Sequence, residues 1–323
     1  MNTLKIAIAG SSLHTRQVAK TLADDKRFEI VWIMGPSIKP VGRQQTPTKN
    51  PMQLFSEELE LPYVSIDHKI VPFTAPQAID ILLVVDFGYL VPDWLLSMPK
   101  IAALNIHPSL LPKWRGSSPG QFALLHRDLL PESQTSAVTL MMMDETLDGG
   151  AILKQIAFDL QDKWTQSEYY KFSFDVMCAQ LANLLLDFSQ GKLSPTLQEK
   201  NSPTIIAKRL KKTDSFISFQ ALEALMKNAP KLVNLPTNTG LLEQLLSNHK
   251  ICQDRSKQLQ LLFNACYAFQ PWPRLWTTLS TTQGPKRMQI LDVAIEAQRL
   301  LLHKVQIEGK TSCSWQECKN ILI

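Results

Sequence analysis

Asn105 and His107 stand two positions apart at the end of an apolar run, Ala102–Ile106, that reads as a buried strand. Successive strand residues alternate in direction, so both side chains leave on the same face. A carboxamide donor beside an imidazole at a strand's carboxyl end can hold an oxygen that is gaining negative charge and can move a proton. Further along, Asp148 sits in the turn Thr146-Leu147-Asp148-Gly149-Gly150. A carboxylate there can orient the imidazole or accept a proton from a nucleophile. Each residue also has a plain structural explanation. A strand-end His is often a satisfied packing residue, and Asp before Gly-Gly is a turn former. What sets the pair apart is the stretch that follows it, Pro108-Ser109-Leu110-Leu111-Pro112-Lys113-Trp114-Arg115-Gly116.

These residues need a scaffold, and the hydrophobic pattern supplies one. Apolar strand-like runs occur at Leu4–Ala9, Glu29–Met34, Tyr63–Ile66, Ile79–Val85, Ala102–Ile106, Ala137–Met143 and Ala151–Phe158. Helical patterns lie between or after them, near Thr15–Ala23, Met52–Glu60, Pro119–Leu125 and Gln166–Phe188. Alternation of this kind predicts an α/β fold with a doubly wound, mostly parallel sheet. Ligands of such sheets bind beyond the carboxyl ends of the strands, where Asn105 and His107 lie. The first strand-to-helix turn, Gly10-Ser11-Ser12-Leu13-His14, lacks the glycine spacing that wraps a pyrophosphate, and no P-loop occurs. Dinucleotide chemistry is therefore disfavoured.

The chain has 323 residues, 45% hydrophobic and 20% charged, enough to bury a sizeable core. At roughly 100–200 residues per domain this predicts two domains. The net charge of +5 is unevenly spread. Residues 1–190 hold 16 Lys+Arg and 20 Asp+Glu, whereas residues 191–323 hold 18 and 9. The halves therefore carry −4 and +9, and the basic half suits a polyanionic partner. The expected organisation is a catalytic domain over 1–190, a linker over 191–207, and a smaller β-rich domain over 208–323. Five cysteines without a close CxxC pair predict neither a disulfide framework nor a zinc ribbon. A reduced, cytoplasmic setting is expected. The N-terminus shows no signal-peptide pattern, and no apolar run reaches the roughly 18 residues of a membrane span.

The segment Asn105-x-His107-x-Ser109-Leu110-Leu111-Pro112-x-x-Arg115-Gly116 resembles the signature of the folate-dependent formyltransferases. Val138–Asp144 followed by Leu147-Asp148-x-Gly150 resembles their second motif. The likeness covers most of the chain and points to the branch that formylates initiator methionyl-tRNA. Pro40-Val41-Gly42-Arg43 with Pro51 and Leu61-Pro62 is similar to that branch's tRNA-inserting loop. Ala207–Lys212 is similar to its post-linker basic segment, and Phe269-Gln270-Pro271-Trp272-Pro273 to a motif at the start of its C-terminal barrel. The last motif is shared with sugar-amine formyltransferases.

The resemblance implies transfer of a formyl group from 10-formyltetrahydrofolate to the amino group of methionine on initiator tRNA, with no metal. Asn105, His107 and Asp148 would be the catalytic trio. The folate would lie against Phe87, Gly88, Tyr89, Leu90, Ser109, Leu110, Leu111, Pro112, Met142 and Asp144. Lys39, Arg43 and Lys49, with Lys208, Arg209, Lys211 and Lys212, would contact tRNA. A monomer is expected. A formyltransferase for a sugar-nucleotide amine and a catalytically silent RNA-binding homologue are the alternatives. The chain departs from the family pattern in several places. Gly149-Gly150-Ala151 follows Asp148 where the family has a second acidic residue, and Asp86 stands where a small or apolar residue is usual. An insertion of about 227–257 precedes a shortened barrel.

Overall fold

The fold is that of a computed structural model, which describes residues 3–41, 46–199, 205–227, 240–281 and 284–319. Arg43, the linker residues 200–204 and residues 228–239 of the expected insertion lie outside these.

In chain order the first part comprises β1 (Leu4–Ala9), α1 (Leu13–Ala23), β2 (Phe28–Pro36), β3 (Lys39–Val41), β4 (Thr46–Thr48), α2 (Pro51–Glu58) and β5 (Tyr63–Ile66). It continues with β6 (Ile81–Val85), α3 (Asp93–Leu96), β7 (Ala102–His107), α4 (Pro119–His126), β8 (Thr135–Met142), β9 (Ile152–Asp159) and α5 (Gln166–Ser189). Seven strands form one sheet in the order β5-β2-β1-β6-β7-β8-β9. The run from β5 to β7 is parallel, and β8 pairs antiparallel to β7. The expected doubly wound, mostly parallel sheet is therefore present. On either side of the expected tRNA-inserting loop, β3 and β4 pair antiparallel, with Lys39 facing Thr48 and Pro40 facing Pro47.

The central strands are apolar on both faces because both faces are covered. On one, Ile6, Ile8, Leu83, Val85, Leu104 and Ile106 pack with Val18 and Leu22 of α1 and with Phe174, Met177 and Leu181 of α5. On the other, Ala7, Ala9, Leu82, Val84 and Ala103 pack with Trp32 and Leu95. Leu104 and Ile106 thus fill the first face and leave Asn105 and His107 to the second.

Local hydrogen bonds fix the ends of the elements. Ser12 caps α1 by accepting from the Thr15 amide at 3.1 Å. The Thr15 hydroxyl donates to the Val85 carbonyl at 2.8 Å, tying the start of α1 to the end of β6. Asn50 caps α2, accepting from the amides of Met52 and Gln53. Its amide also donates to the Pro36 carbonyl at 3.2 Å and to the Tyr63 hydroxyl at 2.9 Å. One side chain therefore joins the two flanks of the β3–β4 hairpin to β5. Asn50→Ala is expected to cost about 1–2 kcal/mol, the usual loss of a cap with its attached hydrogen bonds, read as a lower urea midpoint.

The second part holds a 3-10 turn at Lys212–Ser215, α6 (Phe219–Met226), α7 (Leu241–Ser247), α8 (His249–Cys252) and α9 (Arg255–Ala268). Then come β10 (Trp276–Thr281), β11 (Gly284–Glu296), β12 (Arg299–Ile307), β13 (Cys313–Ser314) and α10 (Trp315–Lys319). The four strands form one sheet in sequence order, each antiparallel to the next.

The chain divides into two compact units, and the division is not sequential. One comprises Met1–Ser117, Ala137–Phe158 and Tyr170–Ile206; the other comprises Ser118–Ser136, Asp159–Tyr169 and Ala207–Ile323. Helix α4 belongs to the second unit. All but Gln121 of its eight residues are buried. Its carbonyl at Leu125 and that of Arg127 accept hydrogen bonds from Asn264 of α9, at 3.2 and 2.6 Å. Among the described residues no helix is long and apolar enough to cross a membrane.

Candidate active site

The strand order of the first unit's sheet reverses between the parallel neighbours β1 and β6, since the chain builds outward to β5 on one side and to β7 on the other. Such a reversal leaves a crevice at the strands' carboxyl ends. The loops after β1, β6 and β7 line it, and the candidate catalytic residues lie on its β7 side.

His107 is 5% exposed, at the end of β7. Its Nε2 lies 3.2 Å from the Trp114 carbonyl, which can only accept, so Nε2 carries the proton of that contact. The other nitrogen, Nδ1, faces Asp148 Oδ2 at 3.8 Å. That gap is longer than a hydrogen bond. The same Asp148 oxygen accepts from the Gly116 amide at 2.8 Å. Trp114 and Gly116, both at positive φ, bend the loop after β7 back so that its carbonyl and its amide reach the two sides of the pair. Asn105 is half-buried on β7, opposite Val84 of β6 and Met141 of β8. The structure thus brings Asn105, His107 and Asp148 to one end of one sheet.

Asp148 adopts φ +48°, a left-handed conformation that residues other than glycine seldom take. Close packing holds the turn in this shape. A Cβ on Gly150 would sit 2.0 Å from the Met142 carbonyl oxygen, so no larger residue fits there without moving backbone. A residue outside both sequence motifs completes the turn. The Gln198 amide donates to the Asp148 carbonyl at 3.0 Å and to the Gly150 carbonyl at 2.8 Å. Its oxygen accepts from Arg115 Nε at 3.1 Å and Nη2 at 2.6 Å. Gln198 falls in the segment expected to be a linker, yet it is buried and belongs to the first unit.

The residues expected to hold folate fall into two groups. Phe87 and Tyr89, with rings 5.3 Å apart, pack on the second face of the sheet, while Leu90 is 91% exposed. Gly88 opens to free space. Met142 packs with the first face, and Asp144 is exposed and accepts from the Thr146 amide at 2.8 Å. Ser109 and Leu111 are buried and shape the loop. The Ser109 hydroxyl donates to the Lys113 carbonyl at 2.9 Å, and the Leu111 carbonyl accepts from Gln155 at 2.8 Å. Leu110 and Pro112 flank them, half-buried.

Of the basic residues, Lys39 donates to the Tyr89 hydroxyl at 3.3 Å and Lys49 pairs with Glu57 at 2.6 Å. Such an exposed pair contributes at most about 1 kcal/mol, so Lys49 is easily released to another anion. Arg43 lies outside the described residues. In the second unit Arg209 and Lys211 are exposed, Lys208 pairs with buried Asp214 at 3.2 Å, and the Lys212 ammonium lies 6.0 Å from the Trp276 ring centre. Among the described residues, no cluster of three or more His, Cys, Asp or Glu could hold a metal ion.

Comparison with known proteins bears on this geometry. A family model described as formyl transferase matches residues 3–176. The methionyl-tRNA formyltransferase of Campylobacter jejuni is 30% identical over 223 residues, covering 67% of this chain and 69% of its own length. Among solved structures, WlaRD, a sugar 3N-formyl transferase, has a TM-score of 0.56 at 15% identity, over 92% of this chain and 88% of its own. Methionyl-tRNA formyltransferase from Clostridium thermocellum has a TM-score of 0.52 at 14% identity, over 94% of this chain and 98% of its own. These two structures share the fold. The family model spans more than half of the chain and takes in Asn105, His107 and Asp148, so this protein belongs to the formyl transferase family and is a formyltransferase enzyme.

Proposed function

We propose that the chain transfers the formyl group of 10-formyltetrahydrofolate to the amino group of methionine on initiator tRNA. The observation that carries this reading is the meeting of Asn105, His107 and Asp148 at the carboxyl end of the sheet. The neutral amine attacks the formyl carbon, a C–N bond forms, and an electron pair moves onto the formyl oxygen. Asn105 donates to that oxygen, and His107 exchanges one of its two present contacts for it. Asp148 orients His107 and helps remove the proton from the amine. The oxygen's pair then returns, the bond to the folate nitrogen breaks, and that nitrogen takes up a proton.

The exposed Leu90 and the Phe87–Tyr89 aromatic pair, its rings tilted at 46°, offer an apolar surface that suits a folate ring. Leu110, Pro112, Met142 and Asp144 would border it. Lys39, Arg43, Lys49, Lys208, Arg209, Lys211 and Lys212 would meet tRNA phosphates, which position the substrate and carry no sequence information. The relatives named for methionyl-tRNA and the excess of +9 charge over residues 191–323 favour tRNA over a sugar-nucleotide amine.

Incubation with 10-formyltetrahydrofolate and methionine-charged initiator tRNA should yield formyl-methionine, detected by mass. Turnover of a sugar-nucleotide amine with no formyl-methionine would overturn the choice of acceptor. Arg43→Ala should raise KM for tRNA and leave folate binding unchanged; equal loss of both would count against the loop's role.

A further inference from the structure

We propose that Gln198 is a positioning residue for Asp148. This rests on the catalytic role assigned to Asp148 above. A primary amide has two N–H donors and one oxygen with two lone pairs. Gln198 is 9% exposed, and all four of these valences are used inside the protein. The orientation is unambiguous, because Arg115 can only donate and the two carbonyls can only accept. Both carbonyls belong to one turn, and they bracket the residue at φ +48°.

The segment that carries Gln198 is itself fixed. Ile152 and Thr196 exchange reciprocal backbone hydrogen bonds at 2.8 Å each, which pins it to the first strand residue after the turn. Arg115 immediately precedes Gly116, whose amide holds the Asp148 carboxylate. The loop after β7 therefore grips Asp148 twice. Gly116 holds its carboxylate directly, and Arg115 holds its backbone through Gln198. A left-handed aspartate persists only where its surroundings over-determine it. The double grip supplies that constraint and sets where Oδ2 stands relative to His107 Nδ1.

The test is steady-state formyl transfer by the full chain carrying Gln198→Glu. The carboxylate keeps the length and the acceptor for Arg115, but it loses both donors and sets a negative charge against two carbonyls. kcat should fall on the order of 10²-fold, since displacing a reacting group by about 1 Å has that effect. KM for folate and for the acceptor should stay within about twofold, as expected when substrate binding is intact. The Asp148→Asn/Gln198→Glu double variant should be no slower than Asp148→Asn alone, because residues that act as a unit are not additive. Full activity of Gln198→Glu, or losses that multiply in the double variant, would overturn the proposal. If Gln198→Glu does not fold, Gln198→Asn, one methylene short of the carbonyls, carries the same test. Wild-type turnover keeps two failures apart. No product from the unmodified chain removes the catalytic reading beneath, whereas turnover that survives Gln198→Glu removes this proposal alone.

Discussion

His107→Ala is expected to lower kcat by about 10²–10³-fold, the range found when one oxyanion donor is removed. The ring touches the Trp114 carbonyl on one side and faces Asp148 on the other, and it is nearly buried. Truncation therefore removes the donor, the partner of Asp148 and the support of the loop after β7 together. A buried carbonyl left without its partner costs about 1–3 kcal/mol of stability, so the thermal midpoint should also fall. Single-turnover formyl transfer separates the two effects, because it counts only folded enzyme with substrate bound. An undiminished single-turnover rate would eliminate the mechanism, whatever the midpoint does.

The second large effect is expected at Gly150. An alanine Cβ would stand 2.0 Å from the Met142 carbonyl oxygen and 3.0 Å from its carbon. Both are backbone atoms at the end of β8, so relief must come from shifting the strand end or opening the turn. Either movement pulls the Gly150 carbonyl from Gln198 and displaces Asp148. Gly150→Ala should therefore lower kcat on the order of 10²-fold through misplacement. It should also destabilise the fold by about 1–3 kcal/mol, as overpacking does. Activity assays and urea melts of this variant, set beside Asp148→Asn, give the comparison. A fully active Gly150→Ala enzyme would show that the turn tolerates movement and that the position of Asp148 is not critical.

The parts of this site that could be read from the sequence are those set by short-range rules. Asn105 and His107 share a face because strands have a period of two, and the apolar Leu104 and Ile106 that alternate with them mark the opposite face. Asp148 stands out because glycine on its C-terminal side marks a tight turn. Gln198 was hidden for the opposite reason. Its segment is polar and proline-bearing with no periodicity, which is also how an exposed linker reads, and only a long-range pairing with Ile152 buries it. Helix α9 escaped notice because it is enclosed on most sides. Buried Gln258, Leu259, Leu261, Leu262 and Asn264 leave no clean apolar stripe to recognise. The assignment of 118–136 and 159–169 to the second unit depends wholly on tertiary contacts, which no local pattern encodes.

The union of α4 with α9 also bears on how the chain is made. Asn264 and the Leu125 carbonyl it binds are 139 positions apart. At about 5–20 residues per second, a ribosome needs on the order of ten seconds to deliver the second partner after the first. Throughout that interval the apolar faces of Phe122, Leu124 and Leu125 have no completed unit to enter, although much of the large sheet has already been synthesised. Chaperone dependence during synthesis, and aggregation of chains truncated before residue 255, are the natural consequences.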